Sequence, residues 1–115
     1  NMNNLKDKKC VPFEEGGIPF DILEIYRYQK KVDGWNILKN DKSIFFIEKT
    51  FKFKNFKDSQ DFVNKVGKIS EEERHHPDII FGWGYTKINI TTHVIEGLSK
   101  NDFILAAKID QISNV

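Results

Sequence analysis

The residue types best suited to proton chemistry lie close together in one part of this chain. All three histidines fall between residues 75 and 93, where His75 and His76 are adjacent and precede Pro77, and His93 follows later. Imidazole is the one side chain whose ordinary pKa lets it both donate and accept protons near neutral pH. The grouping predicts a site of acid–base catalysis, although histidines near helix ends can also be solvated groups that complement the helix dipole.

Two carboxylates have the spacing to assist these histidines. Glu71 lies four residues before His75, so that on a helix the two side chains share a face. Pro77 disfavours helical geometry at the residue before it, and we expect a helix to end at the histidine pair. Glu71 would then hold and polarise one imidazole from one turn back. As structural alternatives, Glu71 belongs to a solvated run of three glutamates, and Asp102 to a helix cap.

Hydrophobic periodicity predicts the elements that must position these residues. Alternation places His93 on the polar face at the end of the last strand. On the second helix the apolar stripe consists of Phe56, Val63, Val66 and Ile69, with Phe62 beside it. The order α-β-β-α-β-β-α predicts an α+β fold, with a four-stranded antiparallel sheet and three helices packed on one face. We expect helices over residues 21–34, 55–75 and 99–112 and strands over residues 35–38, 43–53, 78–81 and 86–93.

Length and composition indicate one small domain over residues 1–115, of which the polar residues 1–12 are expected to be flexible. Eighteen Lys and Arg balance seventeen Asp and Glu, so the chain lacks the charge that nucleic acid or an anionic membrane attracts. No apolar run is long enough to span a bilayer, and no signal-peptide core is present. The sole cysteine, Cys10, fits a reducing compartment. We therefore expect a cytoplasmic or nuclear protein.

A set of short motifs, in this order, resembles the pterin-4a-carbinolamine dehydratases. The resemblance covers about residues 34 to 112, and the residues before it resemble a leader found in some members. The motifs are Asp33-Gly34-Trp35, the run from Phe51 to Phe56, His75-His76-Pro77, Thr92-His93 and Gly97-Leu98-Ser99, and the leader contains Cys10-Val11-Pro12, Gly16-Gly17 and Pro19.

This resemblance implies the same α+β architecture and the dehydration of a 4a-hydroxytetrahydropterin to quinonoid dihydropterin and water, in tetrahydrobiopterin recycling, with no cofactor. It makes His75, His76 and His93 the acid–base candidates, with His75 and His93 foremost. It implies that Glu71 orients or polarises a histidine and that Asp102 supports His93 or the pterin. Trp35 and Trp83 are candidate aromatic walls, although tryptophan is more often a packing residue.

Two further functions compete with this enzyme. Members of the family also serve as a dimerisation cofactor of a homeodomain transcription factor, so a protein-binding module without essential turnover is the main alternative. A metal site made from His75, His76, His93 and a carboxylate is disfavoured, because adjacent histidines rarely bind one ion and no spaced Cys set accompanies them. We expect no metal and no direct nucleic-acid or membrane partner.

Self-association is also expected. Ile44 and Phe46 place apolar side chains on the outer face of the predicted sheet, where they would need cover. The family resemblance implies dimers through the sheet and tetramers through helices. We therefore expect a homodimer or a homotetramer.

Overall fold

Seven helices and strands and two 3₁₀ turns follow one another over residues 4–14 and 16–113, the part of the chain that the computed structural model describes. The four strands form one antiparallel sheet in the order β1-β2-β4-β3, and the three helices pack on one face of it. This architecture confirms the predicted α+β fold. The elements are α1 (Ile22–Gln29), β1 (Asn36–Lys39), β2 (Phe45–Lys52), α2 (Phe56–Glu73), β3 (Asp78–Gly82), β4 (Tyr85–Ile90) and α3 (Lys100–Ser113), with 3₁₀ turns at Leu5–Asp7 and His93–Ile95.

Alternation along the strands decides which face of the sheet is buried. Ile47 on β2 lies opposite Ile90 on β4, and Ile88 on β4 lies opposite Ile79 on β3. The side chains of Ile47, Ile88 and Ile90 are fully buried. The opposite face carries polar residues and partly exposed apolar residues such as Ile80. The helices therefore cover only one side of the sheet.

The buried face of α2 differs from the apolar stripe that periodicity predicted. Phe62 lies within this face, whereas Phe56 is about half exposed and packs on Phe81 instead. Ser59 and Ser70 can be buried here because their hydroxyls donate to carbonyls of the preceding turn. The buried stripe of α2 therefore includes small polar residues and differs from the stripe that hydrophobicity alone indicates. The buried residues of α2 are Ser59, Phe62, Val66, Ser70 and Glu73.

Two predicted boundaries near the functional residues also move. The first helix ends at Gln29, and two successive i→i+3 turns then carry the chain toward Gly34. The strand β4 ends at Ile90, so His93 lies in a 3₁₀ turn rather than on a strand. At this point the Thr91 hydroxyl donates to the Phe45 carbonyl at 2.7 Å, and this bond stands in place of the next backbone hydrogen bond between β2 and β4.

The N-terminal strap (residues 5–13) packs against two helices, although its composition predicted flexibility over residues 1–12. Residues 1–3 lie outside the described residues. Leu5 is buried against α3, and the backbone N–H of Cys10 donates to the Glu73 carboxylate at 2.8 Å. A buried apolar side chain and a partner for a backbone donor thus help to anchor a mostly polar segment.

A polar network ties the start of β1 to the end of α3. Trp35 is buried, and its indole Nε1–H donates to Asp110 Oδ2 at 3.0 Å. The Lys49 ammonium, which points to the covered face of the sheet, donates to Asp110 Oδ1 at 2.8 Å and to the Asp33 carbonyl at 2.5 Å. The indole N–H therefore keeps a hydrogen bond in the interior.

Replacing the buried tryptophan should therefore destabilise the fold more than replacing the exposed one. Trp35→Phe removes the indole donor and leaves part of Asp110 unpaired, so we expect the free energy of unfolding to fall by about 1–3 kcal/mol. Trp83 is 72% exposed. The matched Trp83→Phe substitution should change stability by less than about 0.5 kcal/mol. Urea denaturation of both variants measures this, and equal losses would contradict a structural role specific to Trp35.

Candidate active site

The end of α2 separates the two adjacent histidines. Arg74 takes a left-handed backbone conformation, with φ of +53°, which costs a non-glycine residue about 1 kcal/mol or more. The His75 N–H then donates back to the Ser70 carbonyl at 3.1 Å, which closes the helix end. Because the chain reverses at Arg74, His75 leaves the helical register. It consequently does not share a face with Glu71, as an uninterrupted helix would require.

Asp102 on α3 holds His75. The Nε2 atom of His75 lies 2.6 Å from Asp102 Oδ1, where the His75 side chain is 11% exposed and Asp102 is fully buried. The other carboxylate oxygen, Oδ2, accepts the Ser99 N–H at 2.8 Å and the Thr92 hydroxyl at 2.9 Å. One carboxylate therefore caps α3, as the sequence predicted, and also orients an imidazole that the sequence had not paired with it.

Burial raises the pKa of Asp102 above its ordinary value. The hydrogen bond and the charge of His75 lower it, and so do the bonds from the Ser99 N–H and the Thr92 hydroxyl, but these effects offset only part of the desolvation. A positive charge on His75 thus stabilises the ionised form of the Asp102 carboxylate. The pair is consequently suited to holding a proton between a carboxylate and an imidazole.

Glu71 pairs with His76 instead of His75. Its Oε2 atom contacts His76 Nε2 in a short hydrogen bond, and both side chains are mostly exposed. An exposed pair of this kind contributes little to stability. It does orient the His76 ring. Glu71 therefore contacts a histidine, but this histidine is His76 and not His75, which lies four positions along.

All three histidines line one cleft of about 430 Å³. Neither predicted tryptophan belongs to its walls, because Trp35 is buried in the core and Trp83 is exposed at the turn between β3 and β4. The cleft draws on four segments that are distant in sequence. Its lining residues are Val11, Pro12 and Phe13 from the N-terminal strap, Arg74, His75, His76, Pro77 and Asp78 after α2, Thr92, His93 and Val94 after β4, and Asn101 on α3.

Sequence reasoning missed several of these residues. Arg74 gave no signal, because a left-handed arginine cannot be told from a helical one by type. Thr92 was noted only as part of a motif, yet its buried hydroxyl bonds both Asp102 and the Ser99 Oγ, the latter at 2.7 Å. Asn101 also gave no signal, since its partners lie ninety positions away in the N-terminal strap.

Within residues 4–14 and 16–113, no group of three or more His, Cys, Asp or Glu side chains is arranged to hold a metal ion. No helix in that same part of the chain is long and apolar enough to cross a membrane.

Comparisons with known proteins agree with this architecture. Residues 19–112 match a family described as pterin 4 alpha carbinolamine dehydratase. A protein of Rubrobacter xylanophilus that is provisionally named pterin-4-alpha-carbinolamine dehydratase is 40% identical over 96% of this chain and 100% of its own length. A relative in Alkaliphilus metalliredigens with the same provisional name is 44% identical over 96% of both chains.

Solved structures give the same result for the fold. The crystal structure of a transcriptional coactivator/pterin dehydratase from Brucella melitensis superposes with a TM-score of 0.73 at 26% identity, covering 82% of this chain and 97% of that one. A pterin dehydratase-like protein described as a RuBisCO assembly factor in the alpha-carboxysome superposes with a TM-score of 0.60 at 23% identity, covering 70% and 89%. This second similarity concerns the fold alone.

The raised pKa of Asp102 predicts how stability changes with pH. The folded protein retains the Asp102 proton to a higher pH than the unfolded chain does, because in the unfolded chain the pKa of this carboxyl has its ordinary value of 3.8. This contribution to stability is therefore complete below about pH 3.8 and is lost as pH rises through the folded pKa. The difference in unfolding free energy between wild type and Asp102→Asn should shrink as pH rises from 3.8. Urea titrations across that range measure it, and a difference that grows with pH would show that the anion is the favoured form.

Proposed function

Because this chain belongs to the pterin-4-alpha-carbinolamine dehydratase family, we propose that it converts a 4a-hydroxytetrahydropterin to quinonoid dihydropterin and water by histidine acid–base catalysis. One observation carries the proposal. Imidazoles from two distant segments line a single cleft, and one of them is held by a buried carboxylate.

The reaction needs two proton transfers. The bond between the 4a carbon and its hydroxyl oxygen breaks, and a proton delivered to that oxygen lets it leave as water. A proton leaves the adjacent ring nitrogen, whose electron pair forms the new carbon–nitrogen double bond. A neutral and a protonated imidazole can supply both steps, and each positioned proton transfer typically contributes about 10²–10⁴ in rate.

We assign the base to His75. Its Nε2 is engaged by Asp102, which leaves Nδ1 to accept the substrate proton. Protonation of His75 would place a cation beside the buried Asp102 carboxylate, which orients the ring for this role. We assign the acid to His93, which is exposed in the 3₁₀ turn and can exchange protons with solvent. His76, oriented by Glu71 beside them, is the third candidate.

We further propose that the protein is at least a dimer. The outer face of the sheet holds a second cavity of about 340 Å³, lined in part by Ile44, Phe46 and Asn89. The buried Asn89 Oδ1 atom has no hydrogen-bond partner within the described residues, and such an orphan acceptor is costly unless something else binds it. A second copy on this face would cover Ile44 and Phe46 and could supply the missing donor.

A protein-binding role is the second candidate function. It is favoured by the structural neighbour from Brucella melitensis, which is described as a transcriptional coactivator as well as a pterin dehydratase. The outward face of α1 offers exposed apolar side chains to a partner, namely Ile22, Leu23 and Tyr26. In either role, a free Cys10 thiol suits a reducing compartment such as the cytoplasm. As an enzyme, the protein would return its pterin product to tetrahydrobiopterin recycling.

Alanine substitutions of the histidines distinguish the two functions. His75→Ala and His93→Ala should each lower kcat/KM by about a hundredfold, because each removes a positioned proton carrier. Quinonoid dihydropterin formation, followed by absorbance, measures this loss. Trp83→Phe, which lies outside the cleft, is the control and should retain full activity. A protein-binding function would survive both alanine substitutions, and unchanged turnover in them would remove the assigned acid and base.

Light scattering at micromolar concentration tests the assembly. We expect a mass of at least twice the 13.5 kDa of one chain. Phe46→Lys places a charge on the outer sheet face and should shift the protein toward the monomer, because an unpaired charge is costly in an apolar interface. Lys68→Glu, an exposed change on α2 and not on the sheet, is the control. A monomeric wild type would contradict the proposed dimer.

A further inference from the structure

The N-terminal strap supplies most of the nonpolar lining of the cleft. Five of the residues that line the cleft are apolar, and three of them are Val11, Pro12 and Phe13. The other two are Pro77 and Val94. The strap lies before the residues that match the family, which begin at position 19. The cleft therefore has a wall that the matched domain by itself does not contain.

One asparagine, Asn101, clamps the strap beside Asp102. The Val11 N–H donates to Asn101 Oδ1 at 3.0 Å, and Asn101 Nδ2 donates to the Val11 carbonyl at 2.5 Å. Both backbone groups of Val11 are thus satisfied by a single amide, as a neighbouring strand would satisfy them. Asn101 directly precedes Asp102, so the clamp fixes the strap relative to the carboxylate that holds His75.

A second anchor lies at the end of α2. Glu73 Oε1 accepts the Cys10 N–H at 2.8 Å, and Oε2 lies 3.3 Å from the Lys9 ammonium and 3.6 Å from that of Lys108. Burial alone would raise the pKa of Glu73, but the Cys10 N–H and the two ammonium groups together lower it. The buried Glu73 is therefore a charged anchor, and it directly precedes Arg74.

Cys10 serves as packing and not as a nucleophile. Burial raises the pKa of its thiol to about 12, with smaller contributions from the negative charges of Glu73 and Asp102. The thiolate, which is the reactive form, is thus almost absent at neutral pH. This makes the only cysteine of the chain an internal reporter of strap opening.

We propose that residues 11–13 contact the bound pterin and set its affinity, an inference that rests on the proposed dehydratase function. A bicyclic heterocycle has flat nonpolar faces, which favour an apolar wall, and polar edges, which favour imidazole and guanidinium groups. The strap provides the apolar wall of the cleft, and Arg74 and the histidines provide the polar groups. The strap is therefore a substrate-binding element, while proton transfer belongs to the histidines.

Two variants test this wall from different sides. Phe13→Ala removes lining surface, whereas Glu73→Ala loosens an anchor without changing any residue of the cleft. Each should raise KM by about tenfold, the loss expected for one apolar contact surface, with kcat changed less than about twofold. Ile18→Ala is the matched control, because Ile18 is 89% exposed and lies outside the cleft.

Two readouts do not require turnover. Calorimetric titration with 7,8-dihydrobiopterin should show the same tenfold loss of affinity in Phe13→Ala and Glu73→Ala. Iodoacetamide should modify Cys10 faster in Glu73→Ala than in wild type at pH 8, because the thiol loses both burial and a nearby negative charge. Wild type unfolded in urea gives the upper limit of that rate.

The outcomes separate the two proposals. If wild type turns over the carbinolamine and KM is unchanged in Phe13→Ala, the strap is only a surface clasp and its binding role is overturned. If wild type binds dihydrobiopterin without turnover, the dehydratase assignment fails. The affinity of Phe13→Ala for dihydrobiopterin then shows whether the strap contacts the pterin. If wild type neither turns over nor binds, both proposals fall together.

Discussion

The carboxylate of Asp102 connects the fold to the chemistry. It is fully buried, yet both oxygens have partners: Oδ2 closes the first turn of α3 through Ser99 and Thr92, and Oδ1 holds His75. An isolated charge in this position would be very costly, and these partners offset part of that cost. The same carboxylate that caps the start of a helix therefore also fixes the position of an imidazole, so the site depends on the core for its geometry.

Local backbone strain gives adjacent histidines different surroundings. With helical geometry at Arg74, His75 would continue the face of Glu71. With left-handed geometry, His75 turns to Asp102 while His76 reaches back to Glu71. One imidazole is thereby buried beside a carboxylate, and its neighbour is held at the surface. Non-glycine residues in this conformation are most common where the surrounding structure specifies them, and the His75–Asp102 bond is one such constraint.

The cleft combines rigid and peripheral elements. Sheet and helices bring the turn after β4 and the end of α2 together, and these carry the polar groups. The nonpolar wall comes from a segment with little regular structure, fastened by a few hydrogen bonds to Glu73 and Asn101. Such a division lets the proton carriers stay fixed while a neighbouring segment sets the fit of the ligand.

Much of the fold was predictable because its signals are local. Strand alternation and the Asp102 cap of the third helix each depend on residues a few positions apart, and each is found in the structure. The placement of the second helix was right, but its buried face was predicted only in part, since buried serines such as Ser59 and Ser70 resemble surface residues by type.

Sequence by itself determined which residues could do the chemistry: three imidazoles with carboxylates nearby in a chain of this fold. Only the tertiary structure decided their pairing. Asp102 reaches His75 across 27 positions, Asn101 reaches Val11 across 90, and Glu73 reaches Cys10 across 63. Hydrogen bonds of this kind leave no periodic trace along a chain, because they depend on where folded segments meet and on one residue, Arg74, whose backbone conformation its type does not reveal.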